Sequence, residues 1–408
     1  MWINFEQSIA KRLNLEELDR EQTKTKNLRA KGAAIVRGVA GSGKSLVLRN
    51  RVEKLAEDYD DILVLSYNRL MNSWLKANFQ QSNISVECKT FHQWAYQKLN
   101  YSYNYEPDEV IRLARKCKRQ YQAILIDEAQ DFYDEWFIAL LEVLDPKTEA
   151  LFIAYDNTQS VYGQPHRRQS NWTWKNLGIE LAGGRSQVFD VNYRNCPEIL
   201  ELAWQFIEPA LIAANMKIEK REKDEEGRVI HTPSIGSIIE PKKKMSRSSG
   251  IKPLLLATNY EDLPNKIAYE VREALKTHAE SSIGILVHPQ AKDLQQEISQ
   301  ELNALDIKHH APQSSDQRTA NVVDRPYIIV DSWNALKGVE FDAVIIPGID
   351  SLTQYHAESE LNFEVQAGLY TAMTRARDHL VMLYETQDSV VNTIAQALNN
   401  TDRLANED

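Results

Sequence analysis

Gly38-Val39-Ala40-Gly41-Ser42-Gly43-Lys44-Ser45 sets glycines, a lysine and a hydroxyl at the spacing that wraps a phosphate chain. Glycines let backbone N–H groups turn inward around phosphate oxygens, and a helix starting there adds a favourable dipole. Lys44 would reach the terminal phosphates, and the Ser45 hydroxyl would bind Mg²⁺. A second group, Asp127-Glu128-Ala129-Gln130-Asp131, follows the apolar run Ala123-Ile124-Leu125-Ile126. Carboxylates at the end of a buried strand are costly unless paired or metal-bound. Asp127 suits a Mg²⁺ ligand, and Glu128 suits a group that orients and deprotonates an attacking water. Helix capping by Asp127 or Asp131 is the plain structural alternative. The two motifs together imply binding and hydrolysis of a nucleoside triphosphate.

Strands and helices must hold these residues. Short apolar runs recur at Ala33–Val36, Ile62–Leu65, Ala123–Ile126, Leu151–Ala154 and Val188–Val191. A second set runs Leu254–Ala257, Ile283–Val287, Tyr327–Val330, Ala343–Ile346 and Leu380–Leu383. Runs of this length, alternating with helix-length stretches, predict buried parallel strands in α/β layers. The phosphate loop precedes a helix expected over Ser45–Leu55, and apolar spacing predicts helices over Asn259–Lys276 and Pro289–Leu305. The polar stretches Glu222–Arg228 and Glu240–Gly250 read as exposed loops of the second half, and the residues after Asn399 as a fraying tail.

The chain has 408 residues, enough for two or three domains. Its 43% hydrophobic and 26% charged residues are ordinary for a globular protein. No apolar run reaches the roughly 18 residues of a membrane span. The start, Met1-Trp2-Ile3-Asn4-Phe5, lacks a basic region before an apolar core, so no secretory leader is expected. Cys88, Cys117 and Cys196 have no metal-ligand spacing and point to a reducing, cytoplasmic compartment, with burial as small hydrophobes their plain role. Net charge is −10, which still permits a local basic groove for nucleic acid. Arg112, Arg115, Lys116, Lys118 and Arg119 form one basic run; Arg167-Arg168 and Lys242-Lys243-Lys244 with Arg247 form others. A solvated face is the favoured reading of each.

Four further motifs follow the acidic one in fixed order: Asp156-Asn157-Thr158-Gln159, Asn192-Tyr193-Arg194, Lys337-Gly338-Val339-Glu340-Phe341 and Thr374-Arg375-Ala376-Arg377. In this order the chain resembles superfamily 1 helicases of the UvrD/Rep type, from Gln22 to Arg377. The resemblance implies that Gln22 reads adenine, that Gln159 senses the γ-phosphate, and that Tyr193 stacks on adenine. It also implies that Arg194 and Arg375 reach phosphate, with Gly338 and Glu340 beside the nucleotide. Tyr67, Asn68, Thr90, Phe91, His92 and Tyr162 then fall where the family faces single-stranded DNA. Tyr67, Phe91, Trp94 and Tyr162 could stack bases, at about 1–3 kcal/mol per base. Core packing is the alternative for each aromatic and is favoured for Trp94.

The fold implied is α/β, with two RecA-like P-loop domains of parallel sheets and the nucleotide in the cleft between them. The expected domains are 1–187 for ATP binding, 188–390 for the second lobe, and 391–408 as a tail. The resemblance implies an ATP- and Mg²⁺-dependent translocase or helicase acting on single-stranded nucleic acid, with DNA favoured over RNA and repair as the setting. The chain departs from the family in lacking room for large accessory inserts, so it reads as a minimal form. Asn334 stands where histidine is usual, and Gly163-Gln164 follow Tyr162 where an aromatic is usual; Trp172 or Trp174 are candidates to replace it. The small size keeps an alternative open, an ATP-dependent regulatory subunit that works with a nuclease in repair or phage defence and unwinds little by itself. A metabolic kinase would leave the later motifs unexplained.

Overall fold

In this computed structural model the residues described are 18–67, 69–102, 104–118, 120–159, 165–168, 171–244, 251–277, 281–314, 317–318 and 327–404. The first set of five apolar runs and one unexpected polar strand, β3, give six strands: β1 (Ala34–Gly38), β2 (Ile62–Ser66), β3 (Glu87–Thr90), β4 (Ala123–Ile126), β5 (Ala150–Tyr155) and β6 (Ser186–Phe189). They hydrogen-bond in the order β3-β2-β4-β5-β1-β6, every pair parallel. Side chains alternate across a strand, so each buried strand feeds two cores. Ile35, Leu63, Leu65, Ile124, Ile126 and Ile153 pack on one face with Phe91, Trp94 and Trp136. Val36, Ile62, Val64, Leu125 and Phe152 pack on the other with Val47, Leu48, Val52 and Phe79.

All six strands run the same way, so the residues that leave their C-terminal ends share one edge. Gly38 opens the phosphate loop there, and Tyr67, Phe91, Asp127 and Asp156 follow β2, β3, β4 and β5. Ligands of open parallel sheets bind outside this edge.

The second sheet is also parallel, in the order Leu254–Ala257, Ala376–Tyr384, Phe341–Ile346, Ile283–Val287, Ile328–Ser332. Helices Leu263–Thr277 and Lys292–Ala304 cover one side with Ile267, Val271, Leu294 and Ile298. Helix Pro197–Ala213 packs against Phe363–Met373 and Ser389–Leu404. Two α/β units result, each built on one all-parallel main sheet, consistent with two RecA-like P-loop domains.

The chain does not divide where the motif order suggests. One unit holds Glu16–Val191 and Lys217–Pro241; the other holds Asn192–Met216 and Lys242–Asp408. Residues 217–241, read as part of the second half, return to the first unit. Their pieces are too short and polar to carry a hydrophobic signal: Ile218–Glu219 pairs with Ile238–Ile239, and Glu222–Lys223 pairs with Val229–His231. Glu222–Arg228 is thus most of a hairpin rather than a plain loop. The expected tail also differs, because Ser389–Leu404 is a helix. Val390, Val391, Ile394 and Ala397 are buried along it at helical spacing, while polar residues between them conceal the stripe.

Candidate nucleotide site

The phosphate loop leaves β1 and enters helix Lys44–Leu55. Gly43 caps that helix at φ +81°, a left-handed conformation that favours glycine. A Cβ there would also lie 2.5 Å from Gln22 Nε2. Ser42 Oγ donates to Val39 O at 2.8 Å, closing the loop that also contains Gly38 and Gly41. Lys44 Nζ donates to Gly38 O and Val39 O, both at 2.9 Å, and lies 3.7 Å from Asp156 Oδ2. Gln22 is buried over the loop, its Nε2 donating to Ser42 O at 3.0 Å.

Asp127 is fully buried at the end of β4. Burial, then the neighbouring Glu128 charge, push its carboxyl up to about 6, while Ser45 and Lys44 pull it down. Its Oδ1 accepts the Glu128 N–H at 3.0 Å. Its Oδ2 is buried without a hydrogen-bond partner, on a carboxylate set beside the Ser45 hydroxyl. Two hard oxygens so placed suit a divalent cation, and a buried carboxylate needs such a partner. Glu128 follows at φ +52°, a strained value for glutamate. That turn aims its carboxylate at Gln130, whose Nε2 donates to Glu128 Oε2 at 2.5 Å. Gln130 Oε1 accepts the Asp156 N–H at 3.0 Å. Asp156 in turn accepts from Thr158 N and Gln159 Nε2, each at 2.9 Å. One network thus joins the end of β4 to the end of β5.

In the second unit, Arg194 Nε donates to Glu340 Oε2 at 2.6 Å, and Arg377 donates to Glu340 Oε1 at 2.8 Å. Arg194 N–H also meets Asn192 Oδ1 at 3.0 Å, and its guanidinium meets Thr374 O at 3.3 Å. Arg375 is 1% exposed, with Nε donating to Thr371 O at 3.0 Å. These groups gather where strands Phe341–Ile346 and Ala376–Tyr384 begin. Gly338 lies in the turn before Phe341 at φ +86°. Tyr193 is half-buried, with Lys244 Nζ 5.2 Å from its ring centre.

The residues expected to face a strand scatter in role. Phe91 is core: it is 1% exposed and stacks on Trp136 at 4.2 Å with 7° between the rings. Thr90 caps helix Phe91–Leu99, its Oγ1 accepting Gln93 N at 3.3 Å. Apolar packing and capping account for both. Trp94 is buried and donates to Tyr121 OH at 3.2 Å. Trp172 and Trp174 are buried against each other. Tyr67 is half-buried, stacked 6.4 Å from Trp136. His92 is exposed with its ring edge-on to Trp136 at 4.8 Å. Asn68 and Tyr162 lie outside the described residues.

Of the basic runs, Arg112 and Arg115 pair with Glu109 and Glu142, a solvated salt-bridged face. Arg167 is buried, holding Asp134 Oδ1 and Phe132 O at 2.5 Å. Gln130 and Arg377 stand inside quoted motifs, yet sequence reasoning gave them no role. A small pocket in the second unit, lined by His288, Tyr355, Asp350 and Tyr260 among others, contains none of the expected site residues.

Comparison with known proteins adds two domain matches. A family model described as an AAA domain matches residues 21–165, and one described as a UvrD-like helicase C-terminal domain matches residues 327–383. The first spans Gln22, the phosphate loop, the acidic motif and Gln159. The second spans Gly338, Glu340 and Arg375. No curated protein matches the chain. Among solved structures, the C-terminal domain of a possible DNA helicase from Lactobacillus plantarum WCFS1 aligns at 16% identity and a TM-score of 0.31. That alignment covers 50% of this chain and 96% of the other.

Proposed function

We propose that the protein is an ATP- and Mg²⁺-dependent motor that moves along single-stranded nucleic acid, with DNA favoured as the track, built as a minimal two-lobe form. The observation that carries the reading is the buried network Glu128–Gln130–Asp156–Gln159 beside Lys44. It links the group that activates water to the group that senses the γ-phosphate, as phosphoryl transfer by positioning requires. The domain matches support a nucleotide-using helicase class. Asp127 and Ser45 would hold Mg²⁺, which neutralises phosphate charge when bound. Lys44 holds the phosphates, Glu128 takes the proton of the attacking water, and Arg194 and Arg375 supply positive charge from the second lobe. Hydrolysis then depends on those arginines reaching the nucleotide, which couples turnover to lobe movement.

The test is ATP turnover with and without single-stranded DNA and RNA, with Lys44→Ala and Glu128→Gln as controls. Strong stimulation by one polymer, lost in both variants, is expected. Robust turnover indifferent to either polymer would reject the motor in favour of the regulatory-subunit reading.

A further inference from the structure

The segment 217–241 leaves the first unit's sequence neighbourhood yet grips both ends of the candidate nucleotide site. At one end, Arg37 on β1, directly before the phosphate loop, donates to the carbonyls of Pro233 at 2.6 Å, Ile235 at 2.7 Å and Ser234. Asn157, between Asp156 and Gln159, donates to Ile235 O and Ser237 O at 3.2 Å. Ile239 packs on Val39 of the phosphate loop and on Val188. At the other end, Arg221 donates to Glu21 Oε2 at 2.6 Å and Val188 O at 2.7 Å. Lys223 meets Glu21 Oε1 at 2.8 Å.

Glu21 precedes Gln22 in helix Arg20–Lys26, which at seven residues is too short to hold itself. Gln22 is pinned from both sides. Its Oε1 accepts the Asp19 N–H at 2.9 Å while its Nε2 donates to Ser42 O at 3.0 Å. Both partners are backbone groups, so the amide cannot exchange its ends without losing both bonds. One N–H and one lone pair of the amide remain. A donor beside an acceptor matches the edge of adenine that shows N6–H and N7; guanine shows O6 and N7 there, both acceptors.

Resting on the nucleotide-site reading above, we propose that residues 217–241 form a selectivity brace in which Arg221, through Glu21, holds Gln22 in the orientation that accepts adenine and refuses guanine. Arg221 and Glu21 are positioning residues that act through Gln22.

The test is titration of the full chain with fluorescent ATP and GTP analogues, with thermal unfolding to confirm the fold. Arg221→Ala removes the brace contact. Glu21→Gln keeps the side-chain shape on a partly exposed group and serves if Arg221→Ala fails to fold. Both are expected to cut the preference for ATP over GTP roughly tenfold or more, mainly by weakening ATP. Arg221→Lys should restore part of the preference. An unchanged ratio in the folded variants overturns the brace and leaves the nucleotide site standing. A wild-type protein that binds both nucleotides equally overturns the selectivity alone. One that binds neither overturns the nucleotide-site reading, and the brace with it.

Discussion

Gln130 Nε2 donates to Glu128 Oε2 at 2.5 Å. Its other amide atom takes the Asp156 N–H, so a single side chain fixes the distance between the acidic motif and the turn that carries Gln159. Gln130→Ala should lower turnover at saturating ATP by roughly 10²-fold, because a misplaced general base loses its geometry rather than its affinity. Nucleotide affinity should stay close to wild type. Steady-state kinetics beside a binding titration checks this, and equal losses in both would assign Gln130 to binding instead.

Arg375 is 1% exposed, with its Nε on Thr371 O, just before strand Ala376–Tyr384. Arg375→Lys retains the charge but not the planar fork. Both Arg375→Lys and Arg375→Ala should cut hydrolysis by roughly 10³. ATP affinity should change far less. A loss of affinity that matches the loss of rate would argue for ground-state binding.

Glu219 holds the brace together from within. It accepts Ser234 N at 3.1 Å and Ser234 Oγ at 2.6 Å, and meets His231 Nε2 at 2.8 Å. Burial alone would raise its carboxyl, but the Ser234 hydrogen bonds hold it down at about 2, against an ordinary 4.5. The native state therefore favours the ionised form. Its stabilisation is full above pH 4.5 and is lost as pH falls toward about 2. Glu219→Gln should melt below wild type at pH 7, and the gap should narrow as the pH falls through that window. Melting curves at pH 7 and pH 3 decide it, and a constant gap would reject the assignment.

Much of this architecture is legible in sequence because parallel strands buried on both faces must be apolar throughout. Ala123–Ile126 and Ile283–Val287 fall where their apolar runs do. Glu87–Thr90 escapes notice because it is an edge strand of Glu, Cys, Lys and Thr, only half-buried over its first three residues. Residues 217–241 escape for a different reason. They are held by Arg37 and Asn157 through backbone carbonyls far along the chain, and such bonds leave no periodic trace. Gln130 is visible as a letter within its motif, but the bond to Asp156 N exists only once β4 and β5 lie side by side.

Phe91 and His92 are adjacent in sequence and separable in role. Phe91 sits in the core against Trp136, Trp94 and Phe132. Its truncation removes a buried ring and leaves a cavity, so Phe91→Ala should cost about 3–5 kcal/mol of stability. His92 is exposed and touches Trp136 only by its edge. His92→Ala should change stability by less than about 1 kcal/mol, as surface substitutions do. If the rim beside β3 faces the strand, His92→Ala should weaken single-stranded DNA binding while basal ATP turnover persists. Phe91→Ala, assayed well below its melting temperature, should bind the strand nearly as wild type does. Denaturant unfolding and strand titration of both variants separate the two roles. Weakened strand binding in folded Phe91→Ala with none in His92→Ala would reverse the assignment.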